Sequence, residues 1–312
     1  MARDFGWRDL WSLTRFQDQG FFLDNTLELT YRPSLFTSVL LSLVSPSTGY
    51  CTALQPLNSA SPERLVGQIH RSSGETSAHL TFLAPAKQIT HPGMKSLLSH
   101  LCRQAGEHGA LQVLGEIDRS LGMENLFYQV GFRPYAEQDI WLAPSDLGPR
   151  GGRPAWIPLT RRHDQEVSAL YDRVVPGKVR QVEPPPQMTN LQGLIAWQGG
   201  SLVGFVAVHF GPNAVLMDPF FDPGIDHPGS HLPAVIRALP YHRSRKVYVR
   251  VRGYQSRLNT ALETLGGELT CQQLAVVKNL AVPYGSSQKL NLRSFEKQPD
   301  VTTPISNLEI DG

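Results

Sequence analysis

Three cysteines in 312 residues, Cys51, Cys102 and Cys271, are too few and too scattered for a disulfide framework, and their spacing matches no metal site. They point to a reducing compartment, and we expect a cytoplasmic protein without a bound metal. Long hydrophobic runs are missing too. The most apolar stretch, Leu35 to Val44, is about half the length a bilayer-spanning helix needs. The first residues, Met1-Ala2-Arg3-Asp4, lead into Arg8, Asp9, Arg15 and Asp18, a pattern that fits neither a secretory leader nor a membrane anchor. An excess of one charge is absent: 29 Lys and Arg against 27 Asp and Glu leave +2, so no nucleic-acid partner is expected. The chain also lacks a Gly-x-Ser-x-Gly elbow, a Gly-Lys-Ser/Thr phosphate loop, a dinucleotide fingerprint and a His-Glu-x-x-His pair. Hydrolase, nucleotidase, dehydrogenase and zinc-protease chemistry therefore have no local support. What remains, 41% hydrophobic and 18% charged residues, is the composition of a soluble globular protein.

What the chain does have is a repeat. Leu65-Val66-Gly67 returns as Leu202-Val203-Gly204, and His91-Pro92-Gly93 as His227-Pro228-Gly229. The apolar strand around Leu111 and Val113 returns as Val247, Val249 and Val251, and Gly131 returns as Gly266. The order is kept and the offsets stay between 135 and 137 residues. A period this long suits two whole domains rather than a solenoid. We place an N-terminal domain at 5–143, a Gly/Pro-rich linker at 144–154, a C-terminal domain at 155–283 and a disordered tail at 284–312.

Periodicity predicts the elements of each unit. Arg64 to His70 and Ser77 to Leu83 read as antiparallel strands. His91 to His108 reads as a helix, with Leu97, Leu98, Leu101 and Cys102 on one face, Pro92 in its first turn and Gly109 at its stop. Leu111 to Ile117, Met123 to Val130 and Tyr135 to Leu142 follow as strand, helix and strand. The second unit repeats this with strands at 194–198, 202–210, 214–218, 246–252 and 269–280, and helices at 232–239 and 257–265. Each unit is then β-β-β-α-β-α-β after an N-terminal helical segment, a mixed α/β fold.

This order resembles the GNAT superfamily of acetyltransferases. The LVG hairpin strand, the strand-loop-helix at Ala78 to His108 and the stretch Asn125-Leu126-Phe127-Tyr128-Gln129-Val130-Gly131-Phe132 carry the likeness. It implies two tandem GNAT-like domains, each a mostly antiparallel sheet flanked by helices, and acetyl-CoA as co-substrate. It further implies that backbone at Phe82, Leu83 and Ala84 holds the pantetheine arm, and that the turn Gly93, Met94, Lys95 and Ser96 offers amides to the diphosphate. The family's second phosphate-loop glycine is replaced by Lys95 here and by His231 in the second unit, where Asp226 also stands at the cationic position. Tyr128, the candidate acid, falls one residue after the family's tyrosine position, which Phe127 occupies here and Leu262 in the second unit.

Glu116 and Asp118 share one face of a strand. Glu116 is the candidate general base, with an exposed strand end as its plain alternative. The run His242-Arg243-Ser244-Arg245-Lys246, with Arg250 and Arg252, reads as a solvated surface, with a contact for an anionic substrate or a nucleic-acid phosphate as the lesser alternative. Two functions stand at this point. One is acetyl-CoA-dependent N-acetylation of a small-molecule or peptide amine in the N-terminal domain. The other is a GNAT-like scaffold or acyl-CoA-binding protein without turnover.

Overall fold

A computed structural model describes residues 2–9, 20–44, 49–57, 63–145, 155–187, 191–240 and 244–280. The tail, most of the linker and Tyr241 to Arg243 lie outside them. The N-terminal half runs β1 (Arg3–Asp4), β2 (Phe21–Phe22), α1 (Asn25–Tyr31), α2 (Leu35–Val44), β3 (Tyr50–Pro56), β4 (Arg64–His70), β5 (Ser77–Ala84), α3 (Pro92–Glu107), β6 (Gln112–Asp118), α4 (Glu124–Val130) and β7 (Arg133–Leu142). The C-terminal half runs β8 (Trp156–Pro158), α5 (Asp164–Val174), α6 (Gly177–Arg180), β9 (Gly193–Gln198), β10 (Ser201–Phe210), β11 (Ala214–Phe221), α7 (Leu232–Ala238), β12 (Lys246–Arg252), α8 (Arg257–Thr264) and β13 (Glu268–Asn279).

Local chemistry accounts for the boundaries. Asp24 caps α1 by accepting from the Leu27 amide at 3.0 Å. Helices α4 and α8 stop at the repeated glycines, Gly131 at φ +97° and Gly266 at φ +82°, where a side chain would be strained. The repeated LVG glycine has a packing reason in each half. A Cβ on Gly67 would come within 2.7 Å of Leu101 on α3, and one on Gly204 within 2.7 Å of Trp156 on β8.

The two halves share one 13-stranded sheet, in the order β1-β3-β4-β5-β6-β13-β7-β12-β11-β10-β9-β8, with β2 attached to β5. Each half exchanges its last strand. β13 inserts between β6 and β7, and β7 pairs in turn with β12. The sheet is pseudo-symmetric about the β7–β13 pair, where Gln138 lies opposite its own counterpart Gln273. The two parallel pairs match as well: β5–β6 begins at Ser77↔Gln112, and β11–β12 at Ala214↔Lys246. Parallel neighbours need a crossover, which α3 and α7 supply.

One face of the sheet is covered by α3 and α4 in the first half and by α7 and α8 in the second. Leu97, Leu98, Leu101 and Phe127 pack on Leu65, Leu80 and Val113; Leu232, Val235, Leu258 and Leu262 pack on Val215, Met217 and Val249. On the other face the helices cross over. Leu29 of α1 packs on Ile140, Leu216 and Tyr248. Tyr171 of α5, Val175 just after it and Val179 of α6 pack on Leu114, Tyr135 and Ala275. Between these coverings runs a strip of polar side chains across the middle of the sheet.

Candidate functional site

In each half the parallel strands pair briefly and then diverge. In the first half the pairing ends at His79↔Leu114. The gap beyond it is filled by the chain itself. Phe21 and Phe22 pair with Leu83 and Phe82, the Leu23 amide donates to the Thr81 carbonyl at 2.9 Å, and the Leu23 carbonyl accepts from the Glu116 amide at 2.9 Å. Phe82, Leu83 and Ala84, the backbone expected to hold pantetheine, are buried beneath this segment. It comes from an insertion: residues 5–24 separate β1 from α1, whereas only 159–163 separate β8 from α5.

The start of α3 is also satisfied internally. Pro92 has no amide hydrogen, the Gly93 amide donates to His91 Nδ1 at 3.0 Å, and the Met94 amide donates to the His91 carbonyl at 2.8 Å. Met94 is buried, while Lys95 and Ser96 are exposed. The turn therefore presents a lysine side chain rather than a row of open amides. Tyr128 sits on the outward face of α4, 36% exposed, because Phe127 takes the inward position and packs on Phe132. The N-terminal residues named from the sequence are thus not gathered around one open cavity.

Glu116 lies in the polar strip, not at an exposed strand end. It accepts from the Asn25 amide at 2.7 Å, Gln138 Nε2 at 2.9 Å and Arg250 Nη1 at 2.8 Å. Burial pushes its carboxyl up, but Arg250, Gln138, Arg252 and the Asn25 amide outweigh burial and hold it below the usual carboxylate range. Three donors and a depressed pKa make it a structural acceptor and a poor base. Arg250 and Arg252 correct the surface reading of the basic run. Their side chains are only 10% and 11% exposed, with Arg252 clamped on Glu183 at 2.8 and 2.9 Å.

Glu28 on α1 is the unbalanced member of this region. Burial and the like charges of Glu116 and Asp118 push its carboxyl up to about 7. The unfolded group titrates near 4.5, so the folded state carries a penalty that grows from there to about pH 7 and is complete above it. Glu28→Gln is expected to stabilise the protein by about 1–3 kcal/mol at pH 8 and negligibly at pH 4. Thermal melts at the two pH values check this, and an equal gain at both would contradict it.

In the second half the parallel pairing ends at Met217↔Val249, and one side chain occupies the gap beyond. Gln255 Oε1 accepts from the Phe221 amide at 3.0 Å, and its Nε2 donates to the Pro219 carbonyl at 2.6 Å. At the mouth of this gap Asp218 takes a bidentate bond from Arg250, both contacts at 2.6 Å, and meets His209 Nε2 at 3.2 Å. Burial pushes Asp218 up, but the Arg250 charge and the bonds from Arg250 and His209 hold it well below the carboxylate range. In the neutral ring, an ionised Asp218 holds the proton on Nε2 and leaves Nδ1 with a lone pair. His209 is 38% exposed, so that lone pair is within reach of solvent. Alternation within each strand is legible in the sequence, but only the register shows that His209, Asp218 and Arg250 share one face of three neighbouring strands.

No family model and no curated protein matches the sequence. Among solved structures, a GCN5-related N-acetyltransferase from Sphaerobacter thermophilus superposes with a TM-score of 0.53 at 13% identity, covering 89% of this chain and 95% of its own. A tandem GNAT protein from the clavulanic acid biosynthesis pathway, solved without AcCoA, superposes at 0.50 and 15% identity, covering 89% and 98%. At these identities the likeness is one of fold, and the chain has the mixed α/β fold of the GNAT acetyltransferases.

Proposed function

We propose that the protein is an acetyl-CoA-dependent N-acetyltransferase whose site lies in the C-terminal half, not in the N-terminal half favoured by the sequence. One contrast carries this reading: three residues of main chain fill the first gap, whereas a single side-chain amide fills the second. The Phe221 amide and Pro219 carbonyl already hold an amide, that of Gln255. They suit the amides of a pantetheine arm once Gln255 turns aside. Acetyl-CoA supplies the thioester. An acceptor amine attacks its carbonyl carbon, His209 Nδ1 takes the amine's proton while Asp218 steadies the imidazolium, the carbon–sulfur bond breaks with its electron pair going to sulfur, and the departing CoA thiolate takes up that proton. The acceptor is a small-molecule or peptide amine.

Calorimetry on the intact chain is expected to give one acetyl-CoA per chain. Gln255→Ala removes a competitor that makes two hydrogen bonds and is expected to tighten binding about tenfold. His209→Gln is expected to lower kcat about 100-fold with little change in the KM for acetyl-CoA. No binding at millimolar acetyl-CoA, or an unchanged rate in His209→Gln, overturns the reading. A second reading, a scaffold without turnover, is favoured by one observation. Gly229, at the start of the second half's phosphate loop, packs so closely on α8 that a Cβ would lie 2.0 Å from that of Ala261. Under it, the intact chain transfers no acetyl group to any amine, whether or not acetyl-CoA binds.

A further inference from the structure

A separate cleft of about 820 Å³ lies beyond the carboxyl end of β11, on its β10 side, walled by α5, the β9–β10 hairpin and the loop after β11. Its charge is acidic. Glu166, Asp222 and Asp226 line it against one cation, Arg173, which Asp222 already holds at 3.0 Å. Glu166 and Asp226 make no hydrogen bond or ion pair among the described residues, so their charge is uncompensated.

A second feature points independently to a ligand. His231 lines the same cleft, is only 7% exposed, and has its ring packed on Trp156 and Phe221. Neither ring nitrogen has a partner among the described residues, and neither is sealed from solvent, so the ring opens to the cleft. Burial lowers its pKa, which favours the neutral ring with a lone pair to offer. Trp197 adds an indole to the wall, a surface that attracts alkylammonium groups. The two unpaired carboxylates and the indole face of Trp197 therefore favour a cation that carries N–H donors. A phosphate would meet two free carboxylates.

We propose that this cleft binds an alkyl diammonium ion, its N–H groups donating to Glu166, Asp226 and His231 and its methylenes lying on Trp197. The cleft borders the second half's phosphate loop, which contributes Asp226 and His231, but the proposal does not require acetyl-CoA to bind. Cadaverine titrated into the full chain at low salt, followed by calorimetry, is the test. Saturable binding is expected, weakening with added salt. It is expected to weaken about tenfold or more in Glu166→Gln/Asp226→Asn. Both residues are exposed, so the melting temperature of that variant reports whether the fold is intact. Tetramethylammonium, with charge but no N–H donor, is expected to bind more weakly than cadaverine. No saturable binding, binding unchanged in the double variant, or tighter binding of inorganic phosphate overturns the proposal. Acetyl-CoA titrated into Glu166→Gln, whose residue lies on α5 outside the phosphate loop, tests the acetyl-transfer reading separately.

Discussion

Residues 1–145 and 155–281, expressed as separate fragments, will each fail to fold, and co-expressed they will assemble into one soluble species. β13 is 12 residues long and pairs with β6 over seven positions and with β7 over nine. Without it, the first fragment has two facing edges in the middle of a sheet, with a slot where Leu274, Ala275 and Val276 are buried. Each buried backbone group left unpaired costs about 1–3 kcal/mol. A handful of them exceeds the whole stability of a typical domain, about 5–15 kcal/mol. The second fragment lacks β7 and exposes β12, whose Val247, Val249 and Val251 face the core. Unpaired apolar edges of this kind aggregate. Solubility, size-exclusion chromatography and thermal melts of each fragment and of the co-expressed pair check the prediction. A soluble N-terminal fragment that melts cooperatively near the temperature of the intact chain would contradict it.

Much of this architecture was legible in the sequence because it is local. Strict alternation in Lys246 to Arg252 marked β12 to the residue, and the 3–4 spacing of Leu97, Leu98 and Leu101 marked α3 within a residue at each end. The exchange of β7 and β13 was not legible. An apolar strand carries no label saying which of two equivalent edges it joins, and a duplicated chain offers both. The filling of the first gap was equally hidden, since Phe21 and Phe22 are too short a run to read as a strand. The polar strip left a signal that lay in the repeat itself. The matching registers of the parallel pairs place Glu116 on Arg250, so positions related by the duplication carry opposite charges. Two identical units would bring like charges together near the axis. The diverged chain brings together a pair that attracts, at 2.8 Å. Arg250 and Arg252 read as surface because buried arginines are rare unless paired, and their partners come from other strands and from the loop carrying Glu183.

Arg250→Met should be among the most destabilising single substitutions in the protein, and its cost should depend on pH in a direction opposite to that of the unaltered chain. Arg250 lies between Glu116 and Asp218 and bonds both carboxylates, at 2.8 Å and 2.6 Å. Removing it leaves two buried negative charges without their main partner. Such a break costs about 3–5 kcal/mol, which for a chain of this size lowers Tm by roughly 10 °C. In the unaltered protein both carboxyls titrate below their unfolded values of 4.5 and 3.8. Their contribution is complete above those values and is lost as pH falls through the folded ones, so acid weakens the fold. In Arg250→Met both carboxyls lose that support, and burial raises their pKa. Protonation then relieves the repulsion, and the deficit relative to the unaltered chain shrinks as pH falls from 7 towards 4. Combining Arg250→Met with Glu116→Gln removes one of the stranded charges and is expected to recover part of the loss, a coupling that a double-mutant cycle measures. Denaturant melts at the two pH values decide it. A loss under about 1 kcal/mol, or a deficit that widens in acid, would show that the strip tolerates bare carboxylates and that solvent, not Arg250, balances their charge.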